Sequence, residues 1–199
     1  GMAAALGNVD KRDHWKIHFR DTMRGGKMLN VWRMAELHAR HAADRVRELE
    51  QWGAVFDRTK EGLINQRNFG GHRYPRLAHV GDRTGLEMIR TLQDHGIHQG
   101  IDIQMECTAL AILKDKSVNV AGLVLMFKET GEFIAFETKS LIFAKGVAGE
   151  GRVEISYSSD INSYVFGMSY EAGAELFDIQ FNQCHPTGMV CAQSLKEKH

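Results

Sequence analysis

The side chains that could do chemistry fall into a few short groups. His185-Pro186-Thr187-Gly188 sets an imidazole beside a proline and a glycine. Those neighbours favour a site, whereas a loop histidine satisfied by backbone is the general case. Leu141-Ile142-Phe143-Ala144 is a short apolar run that opens into Gly146 and Gly149. It reads as a buried strand leading into a loop whose bare backbone could approach a ligand. His38 with His41 and His95 with His98 have the three-residue spacing that puts two rings on one helix face. Neither pair has a third ligand placed by sequence, so surface or core histidines are the better reading. Phe69-Gly70-Gly71-His72 lacks the lysine of a phosphate loop and reads as a turn. Asp82 and Arg83 read as the exposed start of a helix rather than an acid and base pair. Cys107, Cys184 and Cys191 form no C-x-x-C pair and are too few for a disulfide framework, which fits a reducing compartment.

The elements that must position these groups change character halfway along the chain. Val31, Met34, Ala35, His38, Ala42, Val46 and Leu49 lie on one stripe of a helix. Thr84-Gly85-Leu86-Glu87 has capping-box spacing and predicts a second helix over about 84 to 95, with Leu86, Ile89 and Leu92 following and Gly96 as its stop. From Ile101 the period becomes two, with Ile101, Ile103 and Met105 opposite Asp102 and Gln104. Turns at Lys114 to Ser117 and at Glu129-Thr130-Gly131 then predict a three-stranded meander ending near Phe136. Beyond it, Tyr170 to Leu176 suggests a helix end, and Phe177 to Cys184 a strand. The 199 residues hold 25 basic and 25 acidic side chains, so no overall field would draw the chain to nucleic acid or to an anionic membrane. No apolar run approaches the roughly 20 residues that span a bilayer. Direct membrane insertion and nucleic-acid binding are therefore not expected.

A set of short strings, in order, resembles the flavoprotein subunit of succinate dehydrogenase and fumarate reductase. It runs through Ala3-Ala4-Ala5-Leu6-Gly7-Asn8, Trp15, His18-Phe19, Asp21-Thr22, Glu48-Leu49-Glu50, Trp52-Gly53 and Gln66-Arg67. It continues through Phe69 to His72, Asp82-Arg83-Thr84-Gly85, Ala172 to Leu176 and His185 to Gly188. The resemblance implies an α/β fold, here a partial FAD-binding domain over 1–199, with a mainly helical part to about residue 100. The three-stranded β meander and a final helix and strand follow. It implies FAD as cofactor, hydride transfer to or from a C4 dicarboxylate, and partnership with an iron–sulfur subunit.

Residue by residue, the resemblance places Gly1 at the end of a Gly-Gly segment near the flavin, unless Gly1 merely precedes a start at Met2. Ala109 falls on the strand that passes near the adenine, although its alternation suits any half-buried strand. Ala144-Lys145-Gly146-Val147 stands where the family has A-T-G-G, putting a long cation and a β-branched side chain where small groups admit the cofactor. Tyr164 stands where the family has a carboxylate. His185 is the single substrate contact of the family in this stretch, and no catalytic residue is assigned. The family's dinucleotide fingerprint and flavin-carrying histidine fall upstream of Gly1, and its arginine proton donor downstream of His199. The expectation is a chain that is inactive alone and self-associates, is cytoplasmic, and meets a membrane only through partners.

Overall fold

The structure is a computed structural model that describes residues 1–144 and 164–181, with the side chains of 164 and 165 left aside. Its first half is a helical hairpin over a small sheet. Helix α1 spans Trp15–Gly25, and the imidazole of His14 caps it by accepting from the Lys16 amide at 3.3 Å. Helix α2 spans Trp32–Gln51 and buries Ala35, Ala39, Ala42, Val46 and Leu49. These recur every three to four residues, and the alanines let neighbouring elements come close. The predicted stripe is correct at Ala35, Ala42, Val46 and Leu49, while Val31, Met34 and His38 stay exposed because Ala39 takes the inner position.

Strand β1 (Met2–Ala3), β2 (Gln66–Arg67) and β3 (Leu77–Ala78) form an antiparallel sheet in the order β1-β3-β2. Ala78 pairs with Met2 on one side and Gln66 on the other. The core lies between this sheet and α2, where Ala4, Ala42, Val46, Leu49, Ala54, Phe56, Ile64 and Ala78 cluster. Gln66 stitches the edge, its Nε2 donating to the Ala4 carbonyl at 2.7 Å while its Oε1 accepts from the Asn8 amide at 3.1 Å.

Helix α3 spans Thr84–His98, three residues beyond the expected end. The capping box does not form. Arg83 is the N-cap, with no side-chain cap, and the Thr84 hydroxyl instead accepts from the Val80 amide at 3.1 Å. Glu87 accepts from the Val55 amide at 2.8 Å, so both side chains hold flanking loops to the helix. Gly96 is no stop either; it is buried, and the helix ends where Gly100 takes φ +73° and the Ile101 amide returns to the Gly96 carbonyl at 3.1 Å. Leu86, Ile89 and Leu92 are exposed.

The meander is present, with β4 at Cys107–Lys114, β5 at Val120–Phe127 and β6 at Phe133–Glu137 in antiparallel order. Asp115 Oδ1 accepts from the Ser117 and Asn119 amides and closes the first turn. Gly131, at φ +70°, closes the second. Two expected strands are corrected. Residues 101–105 form no strand: Glu106 adopts φ +53°, and the ladder reaches no further than its carbonyl, which accepts from the Lys128 amide at 2.9 Å. Leu141–Ala144 is likewise no strand, and Ile142 is 89% exposed. Both lack a partner strand among the described residues, and a lone strand cannot satisfy its backbone. Helix α4 spans Tyr164–Glu171, earlier than the expected helix end at Leu176. Residues 177–181 form turns rather than the start of a strand.

Candidate functional site

The densest concentration of buried chemistry joins α1, the loop before it, and the segment leading into β3. Arg76 is fully buried, and its NH2 donates to Asp13 Oδ1 and to Asp21 Oδ2, each at 2.8 Å. Asp21 Oδ2 also accepts from the Arg73 amide at 3.0 Å, whereas Asp13 Oδ2 has no partner. Asp13 is consequently the less well solvated carboxylate, and burial raises its pKa against the opposing pull of Arg76. Arg76 Nε and NH1 are also buried without partners.

Three imidazoles border this group. His18, on α1, is buried, with its ring centroid 5.4 Å from that of His38 and 6.1 Å from that of His72. Burial first, then the Arg76 charge, lowers the His18 pKa to about 4, so the ring is neutral at physiological pH. Burial and Arg76 lower that of His72 in the same direction. The arrangement locks α1 to the β3 segment and keeps charge and neutral rings in fixed places. Among the described residues no three His, Cys, Asp or Glu side chains are placed to hold a metal ion. His95 stacks on Trp52 with centroids 4.2 Å apart, and His98 Nδ1 lies 2.7 Å from the Asp94 carbonyl.

Beside the core an open groove of about 590 Å³ runs along α2, lined by apolar side chains such as Met2, Met34, Leu37 and Met88, with His38, His41 and Arg45 among them. The residues tied to a flavin by resemblance lie elsewhere. Gly1 packs against β3, where a Cβ would meet the Leu77 side chain and the Ala78 carbonyl at 3.1 to 3.2 Å. Ala109 is half-buried in β4, opposite Leu125. Ala144 is exposed at the end of the unpaired segment. Lys145, Gly146 and His185 lie outside the described residues, and Tyr164 is seen only as the first residue of α4. Gly1, Ala109 and Ala144 thus stand on three separate segments, and none of them lines the groove.

Sequence reading missed the Asp13, Asp21 and Arg76 group. Its members are 55 to 63 positions apart for each Arg76 pair, so no local spacing announces it. The available hint was Asp21-Thr22, which stood among the resembling strings.

The fold and these segments find their counterparts in a flavin-binding class. Residues 1–196 match the FAD binding domain family, and the chain belongs to it. Within that class its relatives include subunits of fumarate reductases and succinate dehydrogenases. It is 38% identical over 196 residues to a fumarate reductase (CoM/CoB) subunit of Methanothermobacter marburgensis, covering 98% of this chain and 35% of that protein. It is 34% identical to the succinate dehydrogenase flavoprotein subunit of Coxiella burnetii, covering 95% and 33%. Among solved structures, Mycobacterium smegmatis Sdh1 in complex with UQ1 superposes with TM-score 0.86 at 48% identity, covering 96% of this chain and 34% of that one. E. coli quinol fumarate reductase superposes with TM-score 0.82 at 29% identity, covering 99% and 34%. The chain is a partial segment, spanning about a third of the length of these relatives. FAD is the cofactor that this kinship carries.

Proposed function

We propose that this chain is the part of a FAD-dependent oxidoreductase that frames the flavin, in a protein that moves hydride between a C4 dicarboxylate and the flavin ring and passes electrons to an iron–sulfur subunit. The observation that carries the reading is the 98% coverage of this chain by a relative named for fumarate reductase. When bound, FAD supplies the redox step. The chain's own part is to hold α1, α2 and the first sheet rigid through Arg76 and its two carboxylates. His185 would donate to a substrate carboxylate, and Gly1, Ala109, Ala144, Gly146 and Tyr164 would lie along the cofactor. The test is a graft in which this chain replaces the matching third of the Coxiella burnetii flavoprotein, with interconversion of succinate and fumarate as the assay. Turnover supports the reading; a folded, flavin-loaded graft that turns over neither acid removes the substrate assignment.

For the 199 residues alone a second reading is favoured: a single partial flavin domain, cytoplasmic, that folds and self-associates without binding flavin. It is supported by the exposed Leu86, Ile89 and Leu92 on α3 and by the unpaired segment at 101–105. Sedimentation velocity over a concentration series tests it, and a strictly monomeric particle at all concentrations sinks it.

A further inference from the structure

Residues 1–8 are held by more than their strand. β1 contributes two paired positions, Met2 with Ala78 and Ala3 with Leu77, too few for a strand to keep its place unaided. Beyond them the chain leaves the ladder. The Leu6 amide turns back to the Ala4 carbonyl at 2.9 Å, and Gly7 takes φ +71°. Backbone groups in so irregular a stretch need partners from elsewhere.

Gln66 supplies two of them with one side chain. It is 4% exposed, its Nε2 donates to the Ala4 carbonyl at 2.7 Å, and its Oε1 accepts from the Asn8 amide at 3.1 Å. Around this clamp the Ala4 amide donates to the Arg76 carbonyl at 2.9 Å, and Asn8 Nδ2 donates to the Ile64 carbonyl at 2.9 Å. Residues 4 and 8 are thus tied to β2 and to the segments that lead into β2 and β3. The donor and the acceptor of the amide are both used. An ionised glutamate has no N–H for the Ala4 carbonyl, and a methionine cannot replace the amide at either end.

The other end of the segment is Gly1. A Cβ there would meet the Leu77 side chain at 3.1 Å and the Ala78 carbonyl at 3.2 Å, so its backbone lies hard against β3, yet Gly1 stays exposed. A glycine packed on one side and open on the other lets a ligand approach bare backbone. Its position follows that of β1, and β1 runs directly into the stretch that Gln66 clamps.

We propose that Gln66 is a positioning residue for the cofactor, fixing residues 1–8 so that the backbone of Gly1 is presented to FAD in one place. The role rests on the placing of Gly1 along FAD under the proposed function. Gln66 acts through β1 and is itself buried, so it need not touch the flavin. Binding constellations keep their geometry when hydrogen bonds of this kind lock the groups that form them.

The test has two arms. In the 199-residue chain, amide hydrogen exchange compares the wild type with Q66M, which keeps a similar volume and loses the clamp. The Ala4, Leu6 and Asn8 amides should exchange about tenfold faster, as the loss of one net hydrogen bond implies, while those of α3 stay unchanged. In the Coxiella burnetii graft, the visible circular dichroism of bound flavin should change in Q66M and Q66E, and flavin should dissociate about tenfold faster. Should Q66E not fold, Q66M carries this arm. A merely structural role would lower the urea midpoint of the graft and leave the dichroism of the bound flavin as in the wild type. Unchanged exchange at residues 4 to 8 overturns the proposal at its first step, and unchanged dichroism overturns it at its second. A wild-type graft that holds no flavin removes the placing of Gly1, and this role with it, even where the exchange arm shows the clamp.

Discussion

His18 offers a clean test of the buried polar group, because its imidazole is held neutral in a place where water cannot reach it. In the unfolded chain its pKa returns to the ordinary 6.5, while in the fold burial, aided by Arg76, lowers it to about 4. A depressed folded pKa means that the unfolded chain binds the proton first as pH falls. Stability is thus fully present above 6.5 and is lost as pH drops toward 4. The whole shift corresponds to about 3 kcal/mol, and going from about pH 7 to about pH 5 should cost about 2 kcal/mol. Asp13 works in the opposite direction: its raised pKa favours the folded state as pH falls and removes stability as pH rises through that folded value. The wild type alone would therefore show a blend. H18F keeps an aromatic ring for the His38 and His72 contacts and removes the titration. Urea unfolding of both proteins at the two pH values isolates the imidazole as a difference of differences. The stability gap between H18F and the wild type should shift by about 2 kcal/mol in favour of H18F on acidification. A gap that does not move with pH refutes the claim that His18 is buried neutral beside Arg76.

Other outcomes follow from particular contacts. R76M strands two buried carboxylates and should destabilise the fold by about 3 to 5 kcal/mol, read as a lower urea midpoint. G122A in β5 would drive a Cβ into the Phe136 carbonyl and should cost about 1 to 3 kcal/mol in a thermal melt, with β4-β5-β6 loosening first. L86S with I89S on α3 should leave stability within about 0.5 kcal/mol while reducing self-association in sedimentation velocity, since both side chains are exposed. In the grafted flavoprotein, K145T with V147G should raise the flavin-to-protein absorbance ratio by restoring small groups where the family has them.

Much of the helical and meander architecture was readable from local pattern. The α2 stripe, the helix from Thr84 and the turns at Asp115 and Gly131 each rest on residues close in sequence, where periodicity and turn chemistry act. The first sheet was not readable, because its strands are two residues long and pair Met2 with Ala78 across most of the first half of the chain. Alternation cannot announce so short a strand. Residues 101–105 and 141–144 failed for a different reason. Their apolar pattern is that of strands buried between neighbours, and no neighbour stands beside them among the described residues. As for the site, family resemblance named residues that the fold distributes over separate segments, and the buried Arg76 group emerged only once α1 and β3 were brought together.

The most direct test of the central claim is the visible absorbance spectrum of the purified graft in which this chain replaces the matching third of the Coxiella burnetii flavoprotein. The account predicts a flavin spectrum, because these residues belong to an FAD-binding domain. A folded, colourless graft that takes up no added FAD would contradict it, and the kinship would then record ancestry without the cofactor site.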